Sequence, residues 1–358
     1  MNKKISFVFH PSYYIQEYLD EIQMTQDEFA KRLGITGKQV SLLLKEEANI
    51  TADIAYKLSK LLGTSVELWL TLQAKYDAFK IEEEQEELFE EEKKVYKMID
   101  RKFLLNLNII DKNDKINECV AKLRHASMVS SLTIHYKNDI CCSYRTAVEK
   151  EETIENVVCR NVWVSIANSL AMKENVSLFN EQKLIDNIPY MRSMTLMKPE
   201  EFYPKLKSLL SECGVSLVIL PSLKNSNING VVKWYNSNKN VMMALNTRGA
   251  YNDKFWFSFF HELKHVLQKM KRKMIVNDSV NKVIDGILEY EADKFARDIL
   301  IDDKLIEKLN NYSEYSIIAF ARKINIHPGI VVGRLQKEGK IKHSYLNHLK
   351  EKYEVKMN

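Results

Sequence analysis

The chain has 358 residues, 45% of them hydrophobic and 28% charged, the proportions of a soluble globular protein long enough for two or three domains. A formal charge of +5 permits nucleic-acid binding without demanding it, and no stretch approaches the length of a membrane span. Only ten glycines and six prolines, beside many Leu, Ile, Lys and Glu, predict a mainly α-helical protein.

At the amino end, the apolar run over residues 5–9 is too brief for a signal sequence. Five cysteines without C-x-x-C spacing suit a reducing compartment, so a cytoplasmic location is expected. Two of them, Cys141-Cys142, are adjacent and poorly placed for an ordinary disulfide; buried small hydrophobes are the expected role.

Residues 12–78 read as short helices punctuated by caps. Thr25-Gln26-Asp27-Glu28 is a capping box opening a helix that Gly34 stops. Thr36 caps the next helix, over residues 37–45, with Val40, Leu43 and Leu44 turned inward. Thr51 opens a third, with Ile54, Leu58, Leu61 and Leu62 as its apolar stripe, and after Gly63 the run Thr64-Ser65-Val66-Glu67 is another capping box.

Two short helices joined across Gly34-Ile35 make a helix-turn-helix, whose second member enters the DNA major groove by its amino-terminal end. Thr36 caps that helix, so Lys38, Gln39 and Ser41 are expected at base edges, with Lys31, Arg32 and Lys45 on phosphates. Gln39 can pair bidentately with adenine, and Lys38 can reach guanine. Residues 1–80 hold ten basic and ten acidic side chains, so phosphate contact should be modest and binding should rely on a homodimer across a palindromic operator. A bundle used for protein contacts is the competing reading. The stretches QDEFAKRLGITGKQVSLLLK and ITADIAYKLSKLLGTSVELWLTLQAKYD resemble the HigA-like branch of the XRE-type regulators. That resemblance implies an antitoxin-like DNA-binding protein with a toxin partner.

From residue 81 to about 94 runs EEEQEELFEEE, flanked by Ala74, Ile81, Leu88 and Val95 at sevenfold spacing. A solvated connecting helix is expected, with the seam a thin indication of a coiled coil between protomers. Residues 100–210 look helical and carry no motif with a chemical reading. Between Gly214 and Leu245 the period changes to short β-type runs, beginning at Val215, Gly230 and Val241. The edge of such a sheet can hold an extended peptide.

His261-Glu262-Leu263-Lys264-His265 follows that sheet. Histidines at i and i+4 share one helix face and can bind one zinc ion, while Glu262 is placed to take a proton from metal-bound water. A third ligand must come from another helix, and in Glu289-Tyr290-Glu291-Ala292-Asp293 the candidate is Glu291, with Glu289 as the alternative. The stretch FWFSFFHELKH, followed by EYEADKFARDILI, resembles the ImmA/IrrE-type metallo-endopeptidase domain. With CGVSLVILP before it and IHPGIVVGRLQ after it, the resemblance takes in about residues 160–345. It implies His261, His265 and Glu291 as zinc ligands and Glu262 as general base. The family usually has a small residue where this chain has Lys264, a cation expected to snorkel outward. His327 and Arg334 are candidate donors to a tetrahedral oxyanion, against a structural role for both.

The expected architecture is α+β, mainly α with a small sheet. A helix-turn-helix domain occupies residues 1–80, an acidic linker and helical middle region residues 81–210, and a zincin-like domain residues 211–358. The expected activity is zinc-dependent hydrolysis of peptide bonds in the chain itself or a partner protein. The competitors are a non-catalytic sensor or docking domain, and a protease whose amino-terminal bundle recruits a protein substrate.

Overall fold

The computed structural model describes residues 8–136, 153–246, 251–268 and 278–353, with residues 82–84 and 278–285 described by backbone only. The expectation for Cys141 and Cys142 falls outside the described residues. The chain divides into two compact units, Met1–Glu91 and Glu92–Asn358.

In the first unit lie α1 (Pro11–Glu21), α2 (Gln26–Leu33), α3 (Gly37–Leu44), α4 (Ala52–Leu62) and most of α5 (Val66–Met98). The start and stop signals act as local chemistry dictates. Thr25 accepts from the Glu28 amide, and Gly34 ends α2 at φ 69°, a left-handed conformation that suits glycine. Thr36 and Gln39 form a reciprocal capping box on α3, and Thr51 caps α4 before Gly63 closes it at φ 71°. Phe29, Leu33, Val40, Leu43, Leu58 and Trp69 are among the side chains of one buried core.

The cap of α5 differs from expectation. Ser65, not Thr64, accepts from the Leu68 amide at 3.1 Å, because the Thr64 hydroxyl is taken by the Trp69 indole N–H at 2.7 Å. A buried indole needs an acceptor, and that need claimed the threonine. Buried Gln73 ties α5 to the chain after α3, accepting from the Ile50 amide at 2.9 Å.

The acidic stretch is helical, as expected, but Glu92 is only 2% exposed and accepts from the Leu132 amide at 2.8 Å. Nor do the sevenfold positions form one free face: Ile81 and Leu88 are exposed whereas Val95 is fully buried.

The second unit continues through α6 (Arg101–Asn106), α7 (Ile116–Ser127), α8 (Ile154–Met172), α9 (Glu181–Asp186), α10 (Ile188–Ser193) and α11 (Pro199–Glu212) to a sheet. The strands are β1 (Val215–Leu220), β2 (Gly230–Tyr235) and β3 (Asn240–Asn246), in the order β1-β3-β2. Central β3 pairs parallel with β1 and antiparallel with β2, with Val215 opposite Val241 and Gly230 opposite Leu245. After the sheet come α12 (Asn252–Leu267), α13 (Asp278–Leu300), α14 (Asp303–Ile306), α15 (Glu314–Lys323) and α16 (Pro328–Lys337).

Helix α12 packs against β2, β3, α13 and α16. Its Trp256, Phe259, Phe260, Leu263 and Val266 share one core with β1, β3 and α16. Phe202, Leu206 and Leu210 of α11 belong to that same core within the second unit. Helices expected to form a middle region are part of the sheet's own packing. Arg192 of α10 fixes the far ends of α13 and α15 by donating to the carbonyls of Ile299, Leu300, Ile324 and Asn325. Helix ends leave such carbonyls without partners, and one guanidinium satisfies four of them.

Candidate functional site

Helix α12 starts at Asn252 after Tyr251, which makes no side-chain cap. Asp253 pairs with Lys350 at 2.7 Å, and Asn252 donates to His327 Nδ1 at 2.7 Å. Three turns on, the i, i+4 spacing brings His261 and His265 together, their Nε2 atoms 3.1 Å apart.

From helix α13 the carboxylate that meets both imidazoles is that of Glu289. Its Oε2 lies 3.2 Å from His261 Nε2 and its Oε1 lies 3.4 Å from His265 Nε2. One ligand atom from each of the three falls within 4.8 Å of the others, a set that could hold one metal ion. Glu291, the first candidate, is directed elsewhere: its Oε2 accepts from Gln268 at 3.1 Å and stands 3.8 Å from Lys264 Nζ. The reason is helical geometry. Two residues along a helix turn a side chain about 200° around the axis, whereas four bring it back to the same face. Asp293, four residues after Glu289, shares the site and meets His261 Nδ1 at 2.9 Å. That i, i+4 pair of carboxylates was the signal in the sequence that favoured Glu289.

Both imidazoles are thus held from behind, His261 by Asp293 and His265 by Gln268 Oε1 at 2.8 Å, leaving each Nε2 turned toward Glu289. Such partners fix ring orientation in metal sites. Burial by itself would lower the pKa of His261, but Asp293 and Glu289 outweigh it and hold the ring at about 10. Glu289 accepts from both imidazoles and is pulled down to about 2. The cluster therefore holds protons that a bound cation would displace.

Glu262 is 7% exposed, and burial pushes its carboxyl up to about 7. Gly230 on β2 makes room for it, since a Cβ there would lie 2.5 Å from Glu262 Oε1. Glu262, both histidines, Glu289 and Gly230 line a cleft of about 1010 Å³.

Three other expectations meet the structure. Lys264 is turned away from the cleft, 5.7 Å above the Phe295 ring and near Glu291. His327 is not among the cleft residues; it caps α16, its Nδ1 accepting from the Gly329 amide at 3.1 Å, the structural role set against oxyanion donation. Arg334 does line the cleft, but its guanidinium is engaged by Asp303 and Glu338.

On the first unit, Lys31, Arg32, Thr36, Lys38, Gln39 and Lys45 are exposed around α3 and Ser41 is partly buried. Arg32 is paired with Glu28 at 2.6 Å. Gln39 is not free to read adenine in two-pronged fashion as it stands, because its Oε1 accepts from the Thr36 amide at 2.9 Å. The capping box uses the same oxygen that base pairing would need.

A model of the helix-turn-helix family matches residues 15–69. The uncharacterized HTH-type transcriptional regulator YddM of Escherichia coli is 41% identical over 63 residues, which are 18% of this chain and 67% of that protein. The chain belongs to the helix-turn-helix family. A second Escherichia coli regulator of this type, YbaQ, is 34% identical over 68 residues, and the chain spans 60% of its length. Among solved structures, an addiction module antidote protein of a HigA family from Coxiella burnetii is 32% identical. The match covers 24% of this chain and 94% of that one, with a TM-score of 0.22.

Proposed function

We propose that this chain is a DNA-binding transcriptional regulator of the antitoxin type whose second unit is a zinc-dependent metallo-endopeptidase, acting on the chain itself or on a partner protein. The convergence of His261, His265 and Glu289 beside buried Glu262 carries the enzymatic part. Two imidazoles and a carboxylate, each imidazole backed by a hydrogen-bond partner, are the donor set of a catalytic zinc site with a position left for water. A zinc ion bound there would supply Lewis acidity to water and to a peptide carbonyl. Glu262, held near pKa 7, can take a proton at Oε1 or Oε2 near neutral pH and pass it to the leaving amine. Burial against Gly230 keeps this carboxylate from solvent, and β2 is an edge strand on which an extended peptide can pair. A lysine pointing at the histidine pair would favour a non-catalytic domain, and Lys264 is turned away from the cleft toward Phe295 and Glu291.

The regulatory part rests on family membership and on the exposed cap-and-lysine face of α3. YddM and YbaQ are described as transcriptional regulators, and the Coxiella protein as an antidote of an addiction module. Double-stranded DNA with a two-fold operator, a second copy of the chain and a toxin are the proposed partners. Among the described residues no helix is long and apolar enough to cross a membrane.

Elemental analysis of metal-replete protein should find about one zinc per chain. Mass spectrometry of the chain and its co-purifying proteins, with and without chelator, should show zinc-dependent cleavage. A gel-shift assay on DNA upstream of its own gene should show binding well above that to random DNA at moderate salt. Absence of metal overturns the enzymatic part, and equal binding to both DNAs overturns the regulatory part.

A further inference from the structure

The face of α13 that carries Glu289 and Asp293 continues to Arg297, four residues further on, and Arg297 also lines the cleft. Among the described residues, its buried Nε has no hydrogen-bond partner. The neighbouring carboxylate of Asp303 is taken by Arg334, and Asp293 is taken by His261. Arg297 lies in the last turn of α13, where the helix dipole eases the burial of a cation without occupying its donors. A guanidinium presents five donors in a fixed fork that matches a carboxylate. The cleft carries side chains of both signs, among them Lys254 and the carboxylates of Glu262, Glu289 and Asp293, so it is the guanidinium with its unpartnered Nε and not net charge that marks the subsite.

We infer that Arg297 is the anchor of an anionic subsite, and that the cleft selects peptide segments bearing an acidic side chain a few residues from the bond beside Glu262. Arg297 follows Glu289 by eight residues, about 12 Å along the helix axis. An extended peptide covers that distance in about three to four residues. The inference rests on the peptidase reading for the identity of the ligand as a peptide. It does not require the metal, because a guanidinium and not the ion reads the carboxylate.

The test passes a library of random octapeptides, blocked at both ends, over the immobilised full-length chain in zinc-loaded and chelator-treated forms, and sequences what is retained. Asp and Glu should be enriched several-fold in both forms. Arg297→Gln should abolish that enrichment, Arg297→Lys should keep part of it, and the thermal midpoint of the Gln variant should stay near that of the wild type, since Arg297 Nε has no partner among the described residues and the nearby Asp303 is held by Arg334. Retention without acidic enrichment, no retention at all, or enrichment that survives Arg297→Gln overturns the subsite. A Gln variant that melts earlier yet selects as before assigns Arg297 a structural role. Acidic enrichment in a protein that binds no zinc and cleaves nothing would leave the subsite standing and remove the peptidase reading.

Discussion

The two units place their functional side chains in opposite ways. In the first, the candidate DNA-contacting residues are mostly exposed, and local capping at Thr25, Thr36 and Thr51 sets the helices that present them. In the second, Glu262 and His265 are buried, and the site exists only because α12, α13 and β2 pack together. A locally built surface should lose function in small increments. A site assembled by packing should fail at single positions.

The sharpest break should come at Glu262. Glu262→Gln is expected to lower any zinc-dependent cleavage by about 10²- to 10⁴-fold, the range general acid–base catalysis supplies, while zinc content and DNA binding stay at wild-type levels. Lost metal in that variant would make Glu262 a ligand or a support.

Next comes the choice between two glutamates. Glu289→Ala, like His261→Ala or His265→Ala, should leave the protein without stoichiometric zinc by elemental analysis, whereas Glu291→Ala should retain it. The reverse pattern would restore Glu291 as ligand. Asp293→Asn, acting through His261 alone, should weaken zinc about 10- to 100-fold in a chelator competition.

The first unit should respond more gently. Thr36→Ala removes the cap of α3 and should cost about 1 kcal/mol in its unfolding transition, followed by denaturant titration with circular dichroism. The same change should weaken specific DNA binding without abolishing it; complete loss would mean that the second unit's fragility applies here too.

The smallest expected effect is on pH dependence in metal-free protein. His261 rises from its ordinary 6.5 to about 10, so its contribution to stability is whole below pH 6.5 and fades as pH climbs through 10. Glu289 falls from 4.5 to about 2, so its contribution is whole above pH 4.5 and fades as pH drops toward 2. The cluster should therefore stabilise the second unit most between about pH 4.5 and 6.5. A Glu289→Gln variant with the same pH–stability curve as wild type would show that the ion pairs contribute nothing measurable.

By itself, the sequence determined what depends on near neighbours. The glycine stops at 34 and 63, the caps at Thr25, Thr36 and Thr51, and the three β runs all follow from residues within a few positions of each other. The i, i+4 histidine pair belongs to the same class, because one helix suffices to bring the rings together. Tertiary structure decided everything that needed a second element. Phe202, Leu206 and Leu210 joined the sheet's core because an apolar helix face carries no mark of which partner will bury it. Thr64 gave up its cap to the Trp69 indole, and His327 became a cap rather than a cleft residue. Glu289 and not Glu291 faces the histidines because of the rotation of α13 about its axis against α12, a quantity fixed by how the two helices pack. Gln39 is the one case where local chemistry was legible yet misdirected: the residue three after a capping threonine bonds back to it, and that bond competes with the base edge the side chain was expected to read.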